Sequence, residues 1–202
     1  SPALVGAISD DADFLGGRAD VIAIAKAVSG TPEFVSPKLV SALVGQVKIQ
    51  LSASEFVNID VLHKVVGIEA ERIRQRASRA TLGATDFFVM HPLDVLCSRV
   101  ENLAIVPDKQ NSQGVEQAKL SLQVARAHIV ELLADTAEVP RMALKAVEYA
   151  VRIGKSGAGR KVAKEFGIDF RCAIPGYAIK SEDFLKTRWP QILLELDPSC
   201  IS

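Results

Sequence analysis

Asp11-Ala12-Asp13-Phe14-Leu15-Gly16-Gly17 alternates acidic with apolar side chains and then halts at two glycines. A period of two marks a half-buried strand, and paired glycines mark the turn that ends it. The stretch predicts a strand over 11–15 with Asp11 and Asp13 on one face, leaving Asp10 on the other as a neighbour or cap. Val21, Ile22, Ile24, Ala25 and Val28 then recur at near-helical spacing, and Ser29-Gly30-Thr31-Pro32 closes that helix with breakers. Val47 to Leu51 alternates, and Phe56 to Leu62 is β-branched and apolar around Asn58 and Asp60. Each predicts a further strand, joined by a turn at Ser52-Ala53-Ser54-Glu55.

Ile68 to Ala77 is charged and fits either a helix or a sheet edge, while Phe87-Phe88-Val89-Met90 reads as a short strand stopped by Pro92. The period then changes. Leu93, Leu96, Val100 and Leu103 repeat every three to four residues behind His91-Pro92. Val115, Ala118, Leu122, Ala125, Ile129 and Leu132 make a second continuous apolar face after Asn111. Helices are also expected over Val139 to Ile153, ended by Gly154, over Lys161 to Phe166, and over Ser181 to Glu195, where Pro190 must kink or divide the last. The fold class is therefore α+β, with a small mixed β-sheet domain over 1–92 and a C-terminal helical bundle over 93–202.

Of the 202 residues, 49% are hydrophobic and 24% charged, enough apolar material for a sizeable core and an argument against long disorder. Basic and acidic residues balance at 24 each, so no global positive field names a nucleic-acid partner, and a local patch is not excluded. Cys97, Cys172 and Cys200 are scattered without any C-x-x-C spacing, which favours reduced structural thiols over a zinc site. No apolar run reaches the roughly 18 residues that span a bilayer. The opening residues also lack the basic start and cleavage pattern of a secretory signal, so the expected location is cytoplasmic, with no membrane partner.

Magnesium and manganese take hard oxygen ligands, and carboxylates at i and i+2 of a strand project from the same face. Asp11 and Asp13 meet that requirement. Asp60 interrupts an otherwise apolar strand, where an isolated charge is costly to bury, and is the candidate third carboxylate of a metal-dependent site.

An acidic-x-acidic strand, Ser9-Asp10-Asp11-Ala12-Asp13-Phe14-Leu15, and a later strand with one acidic residue, Asp60, resemble the DNA polymerase beta type nucleotidyltransferase superfamily. Within it, Val89-Met90-His91-Pro92-Leu93-Asp94-Val95-Leu96 and the helices beyond are similar to minimal bacterial nucleotidyltransferases related to the toxins of abortive-infection toxin–antitoxin pairs. The resemblance implies that Asp11 and Asp13 hold Mg2+ or Mn2+ and that Asp60 helps activate an acceptor hydroxyl. It implies a nucleoside triphosphate as donor, contacted by Ser9 and Arg99, and an acceptor that is RNA, protein or a small molecule, with an antitoxin protein as a further partner. The family's phosphate-cradling glycine turn lies well upstream of the paired carboxylates. Leu4-Val5-Gly6 sits too close to them, so either that turn lies ahead of Ser1, the expectation favoured by the absent Met, or the protein lacks a normal phosphate cradle and the catalytic reading fails. Family members carry a lysine where Arg99 stands, and Gln117-Ala118-Lys119 takes the place of an acidic, lysine-bearing motif. The alternative function is a non-catalytic interaction protein of the same fold.

Other motifs read more plainly. Gly154-Lys155-Ser156-Gly157-Ala158-Gly159 lacks the first glycine of a Walker loop, since Tyr149 occupies that position, and reads as a helix-to-helix connection. His63, His91 and His128 share no ligand spacing, and His91 is a helix-entry residue. Arg72, Arg74, Arg76 and Arg79 form the one dense basic cluster, either a solvated face or a contact for triphosphate or nucleic acid.

Overall fold

A computed structural model describes residues 11–36, 38, 41–134 and 139–197. The chain is a mixed α+β protein that divides into two units, one ending at Gln75 and the other beginning at Arg76.

The first unit contains a four-stranded mixed sheet of β1 (Asp11–Leu15), β2 (Thr31–Phe34), β3 (Leu43–Gln50) and β4 (Phe56–Leu62), with one helix, α1 (Arg18–Val28). Strand order is β1-β4-β3-β2. The β1–β4 pair is parallel and the other two pairs are antiparallel. At the start of α1 the Gly17 N–H donates to Asp20 Oδ2 at 2.7 Å, and Ser29 ends the helix in a left-handed conformation. Val21 and Ala25 of α1 pack on Val47 and Val61, with Ile24, Val44, Ile49 and Ile59 around them. Each fully buried valine contributes about 1.5–3 kcal/mol, so this core is small and α1 covers one face of the sheet only.

Thr31–Phe34 is a strand, although Ser29-Gly30-Thr31-Pro32 reads as a run of breakers. Proline is tolerated there because β2 pairs only with β3 and lies at a sheet edge. Gly45 permits that pairing, since a Cβ in its place would meet the Glu33 carbonyl oxygen at 2.5 Å.

The charged segment after Ile68 is helical, as α2 (Ala70–Arg76), and it runs up to the division between the units. The second unit then opens with a hairpin of β5 (Ser78–Leu82) and β6 (Thr85–Val89), turned at Gly83 with φ +61°. The helices follow: α3 (Pro92–Ile105), α4 (Ser112–Ala134), α5 (Val139–Lys155), α6 (Gly157–Phe166) and α7 (Trp189–Glu195). Leu93, Leu96, Val100 and Leu103 pack with Ala118, Leu122, Ala125 and Ile129 and with Val147 and Val151 in one continuous core. The division lies before the hairpin. Among the described residues β5 and β6 pair with each other as a separate two-stranded sheet.

Gly154 does not end α5, which runs on to Lys155. Ser156 caps α6, its Oγ accepting from the Gly159 N–H at 2.9 Å. A Cβ at Gly159 would lie 2.1 Å from the Ile153 carbonyl oxygen. The glycine-rich segment is accordingly a tight helix-to-helix junction. Pro190 falls in the first turn of α7, directly after a π-helical turn over Phe184–Arg188 that divides the tail as expected. Arg188 donates to both Glu148 carboxylate oxygens at 2.6 and 2.8 Å and to Glu195 at 3.0 Å. These bonds raise the guanidinium pKa still further above its ordinary value. Among the described residues no helix is long and apolar enough to cross a membrane.

Candidate carboxylate site

The parallel pairing of β1 with β4 sets Asp13 opposite Asp60 and Asp11 opposite Asn58. Side-chain direction alternates along a strand, so positions 11, 13, 58 and 60 belong to the sheet face away from Val47, Val61 and α1. The register continues across β3, where Gln46 pairs with Asp60 and Lys48 with Asn58, and reaches Glu33 of β2 opposite Gln46. Gln46 Nε2 donates to Glu33 Oε2 at 2.8 Å. Two register rows of this face are polar across the sheet, Asp13–Asp60–Gln46–Glu33 and Asp11–Asn58–Lys48–Thr31, with their acidic end on β1 and β4.

Asp13 is exposed, and Asp60 is half-buried with its Oδ1 shielded from solvent. Asn58 is half-buried too, and its Oδ1 is a buried acceptor that receives no hydrogen bond from the described residues. Its register neighbour Lys48 does not donate to it: the Lys48 ammonium lies 4.0 Å from the centroid of the Phe56 ring. Among the described residues no group of three or more His, Cys, Asp or Glu side chains lies close enough together to hold a metal ion. The described oxygen groups on this face are two carboxylates and one amide, with position 11 joining them by backbone register. All are hard oxygens of the kind magnesium and manganese accept, and the orphaned Asn58 oxygen fits a cation there. Asn58 escaped the sequence reading, because nothing in an isolated amide between β-branched residues signals that its oxygen will be buried without a donor.

Of the residues expected to contact the donor, Ser9 lies outside the described residues. Arg99 belongs to the helical unit, where its Nη1 donates to Gln117 Oε1 at 3.1 Å in a shallow cleft that also includes Asn102, Lys109 and Gly114. The arginine cluster is largely engaged with acids. Arg76 Nη1 bonds Asp94 Oδ1 at 2.8 Å, Arg79 pairs with Asp86, and Arg74 lies 3.9 Å from Glu71. Asp86 titrates below its ordinary value, chiefly through the Arg79 bond.

The helical unit also assembles a polar cluster that sequence spacing does not reveal. Buried Asp94, in the first turn of α3, accepts from Arg76 and also from Tyr149 Oη at 3.1 Å. His91 Nδ1 accepts from the Leu93 N–H at 3.2 Å, capping α3, and lies 3.1 Å from Arg76 Nη2. The same guanidinium nitrogen lies 3.4 Å from His91 Nε2. The rings of His91 and His128 meet edge to face at 4.7 Å. Burial holds the His128 pKa below its ordinary value and the Arg76 charge adds to that, against the opposing pull of Glu131. Family models, characterised proteins and solved structures were all compared with the chain, and none matches it.

Proposed function

We propose that the sheet unit carries the centre of a metal-dependent nucleotidyltransferase, moving a nucleotidyl group from a nucleoside triphosphate to a hydroxyl of an acceptor. The observation that carries this reading is the register of Asp13 against Asp60, with Asp11 two residues away on the same strand. In this reading Asp11 and Asp13 hold Mg2+ or Mn2+. A divalent cation there supplies charge neutralisation for the phosphoryl oxygens during in-line transfer. Asp60, facing Asp13 across the strand pair, accepts the proton of the attacking hydroxyl as its oxygen bonds the α-phosphorus and pyrophosphate leaves.

The arrangement has a stability signature as well. Like charges directly opposed on neighbouring strands destabilise a sheet by a few tenths of a kcal/mol, up to about 1. Asp13→Asn is therefore expected to abolish nucleotidyl transfer from labelled ribonucleoside triphosphates without lowering the thermal midpoint. Transfer retained by this variant would remove the assignment.

A further inference from the structure

We infer that Asn58 is a further ligand of the cation held by this carboxylate face, its side-chain oxygen completing the oxygen set formed by Asp11, Asp13 and Asp60. The inference rests on the transferase reading and adds to it a residue that the acidic pattern does not contain. Asn58 Oδ1 is buried and receives no hydrogen bond from the described residues. A buried acceptor left in that condition destabilises the fold unless a donor or a cation meets it.

The neighbours decide between those two. On its own strand Asn58 stands two residues from Asp60, and across the parallel pair it stands opposite Asp11 and diagonal to Asp13. Ionised carboxylates only accept, so none of the three can satisfy an amide oxygen. Lys48 is the cationic donor in register with it, and its ammonium is held over the Phe56 ring at 4.0 Å. An acceptor whose register and diagonal neighbours are aspartates, with the Lys48 ammonium over the Phe56 ring, matches the requirement of a hard divalent cation, for which amide and carboxylate oxygens serve together. Asparagine suits the position better than a further aspartate for a physical reason. It supplies an oxygen without adding charge to a face that already carries Asp11, Asp13 and Asp60.

The test is Mn2+ binding to the full chain, followed by electron paramagnetic resonance and by the thermal midpoint, in the wild type, Asn58→Leu and Asn58→Ala. Leucine keeps the branched shape of asparagine at a larger volume and removes the buried oxygen without leaving a void. Asn58→Leu is expected to melt at or above the wild type without metal, while its Mn2+ affinity falls about tenfold or more, by analogy with the loss of one ligand-supporting group. Asn58→Ala, which removes the oxygen and adds no bulk, is expected to show the same loss of affinity and carries the test should the leucine variant not fold. Equal Mn2+ affinity in wild type and both variants would overturn the role of Asn58 and leave the carboxylate site standing. Absence of Mn2+ binding in the wild type would overturn the transferase reading, and the Asn58 assignment with it.

Discussion

Asp94 has no access to solvent, and its Oδ1 accepts from Arg76 and from Tyr149. Removing one partner of a buried ion pair leaves the other uncompensated, which makes this carboxylate the most sensitive polar side chain of the helical unit. The Arg76 side chain is 30% exposed, so water relieves part of the loss. Asp94→Ala is expected to destabilise the unit by about 2–4 kcal/mol in urea denaturation, and Asp94→Asn by less, since the amide oxygen still accepts. His128 gives a pH dependence. Its folded pKa is depressed, chiefly by burial, so the unfolded chain binds more protons below about pH 6.5. Its contribution is complete above that value and is lost as pH falls through the lowered folded value. His128→Gln should flatten the thermal midpoint between about pH 5 and 7, and an unchanged acid slope would place the titrating group elsewhere. At this scale the shared face of the three aspartates was legible, because alternation in a strand sets which face a carboxylate takes. Asn58 and the Arg76–Asp94–Tyr149 bonds were not, because partners far apart in sequence leave no local period.

Elements were legible where they carried their own pattern. The strands β1 and β4 and the helices α1, α3 and α4 announce themselves through periods of two or three to four, and the structure has them close to the expected positions. Strand β2 was hidden because its propensity is poor and its pairing with β3 overrides that propensity. The Gly154–Gly159 segment shows the converse, a sequence that resembles a ligand loop and is consumed by packing. Alanine at Gly159 gains about 1 kcal/mol of helix propensity over glycine. Its Cβ, however, would meet backbone oxygens at 2.1 Å from Ile153 and 2.5 Å from Gly154, and backbone cannot swing aside as a side chain can. Gly159→Ala is therefore expected to cost a net amount of about 2 kcal/mol or more, read as a lowered thermal midpoint. A midpoint equal to the wild type would mean that the α5–α6 junction is looser than its geometry.

For the whole molecule, the contrast between a small valine core in the sheet unit and an extended core in the helical unit predicts unfolding in two steps. Scanning calorimetry is expected to resolve a lower transition for the sheet unit and an upper one for the helices, the latter aided by the Arg188–Glu148–Glu195 network. On the proposed reading Mn2+ should raise the lower transition alone, because a ligand stabilises the unit that binds it. A single transition that moves as one with Mn2+ would contradict the division at Gln75. The parallel pairing of β1 with β4 bears on the order in which the molecule assembles its carboxylate face. Asp13 and Asp60 face each other only after α1, β2 and β3 have been synthesised between them, and parallel pairing across such a separation is a slow, late contact in folding. A nascent chain that has emerged only as far as β3 holds Asp11 and Asp13 without Asp60, so β4 sets the moment at which the carboxylate face is complete.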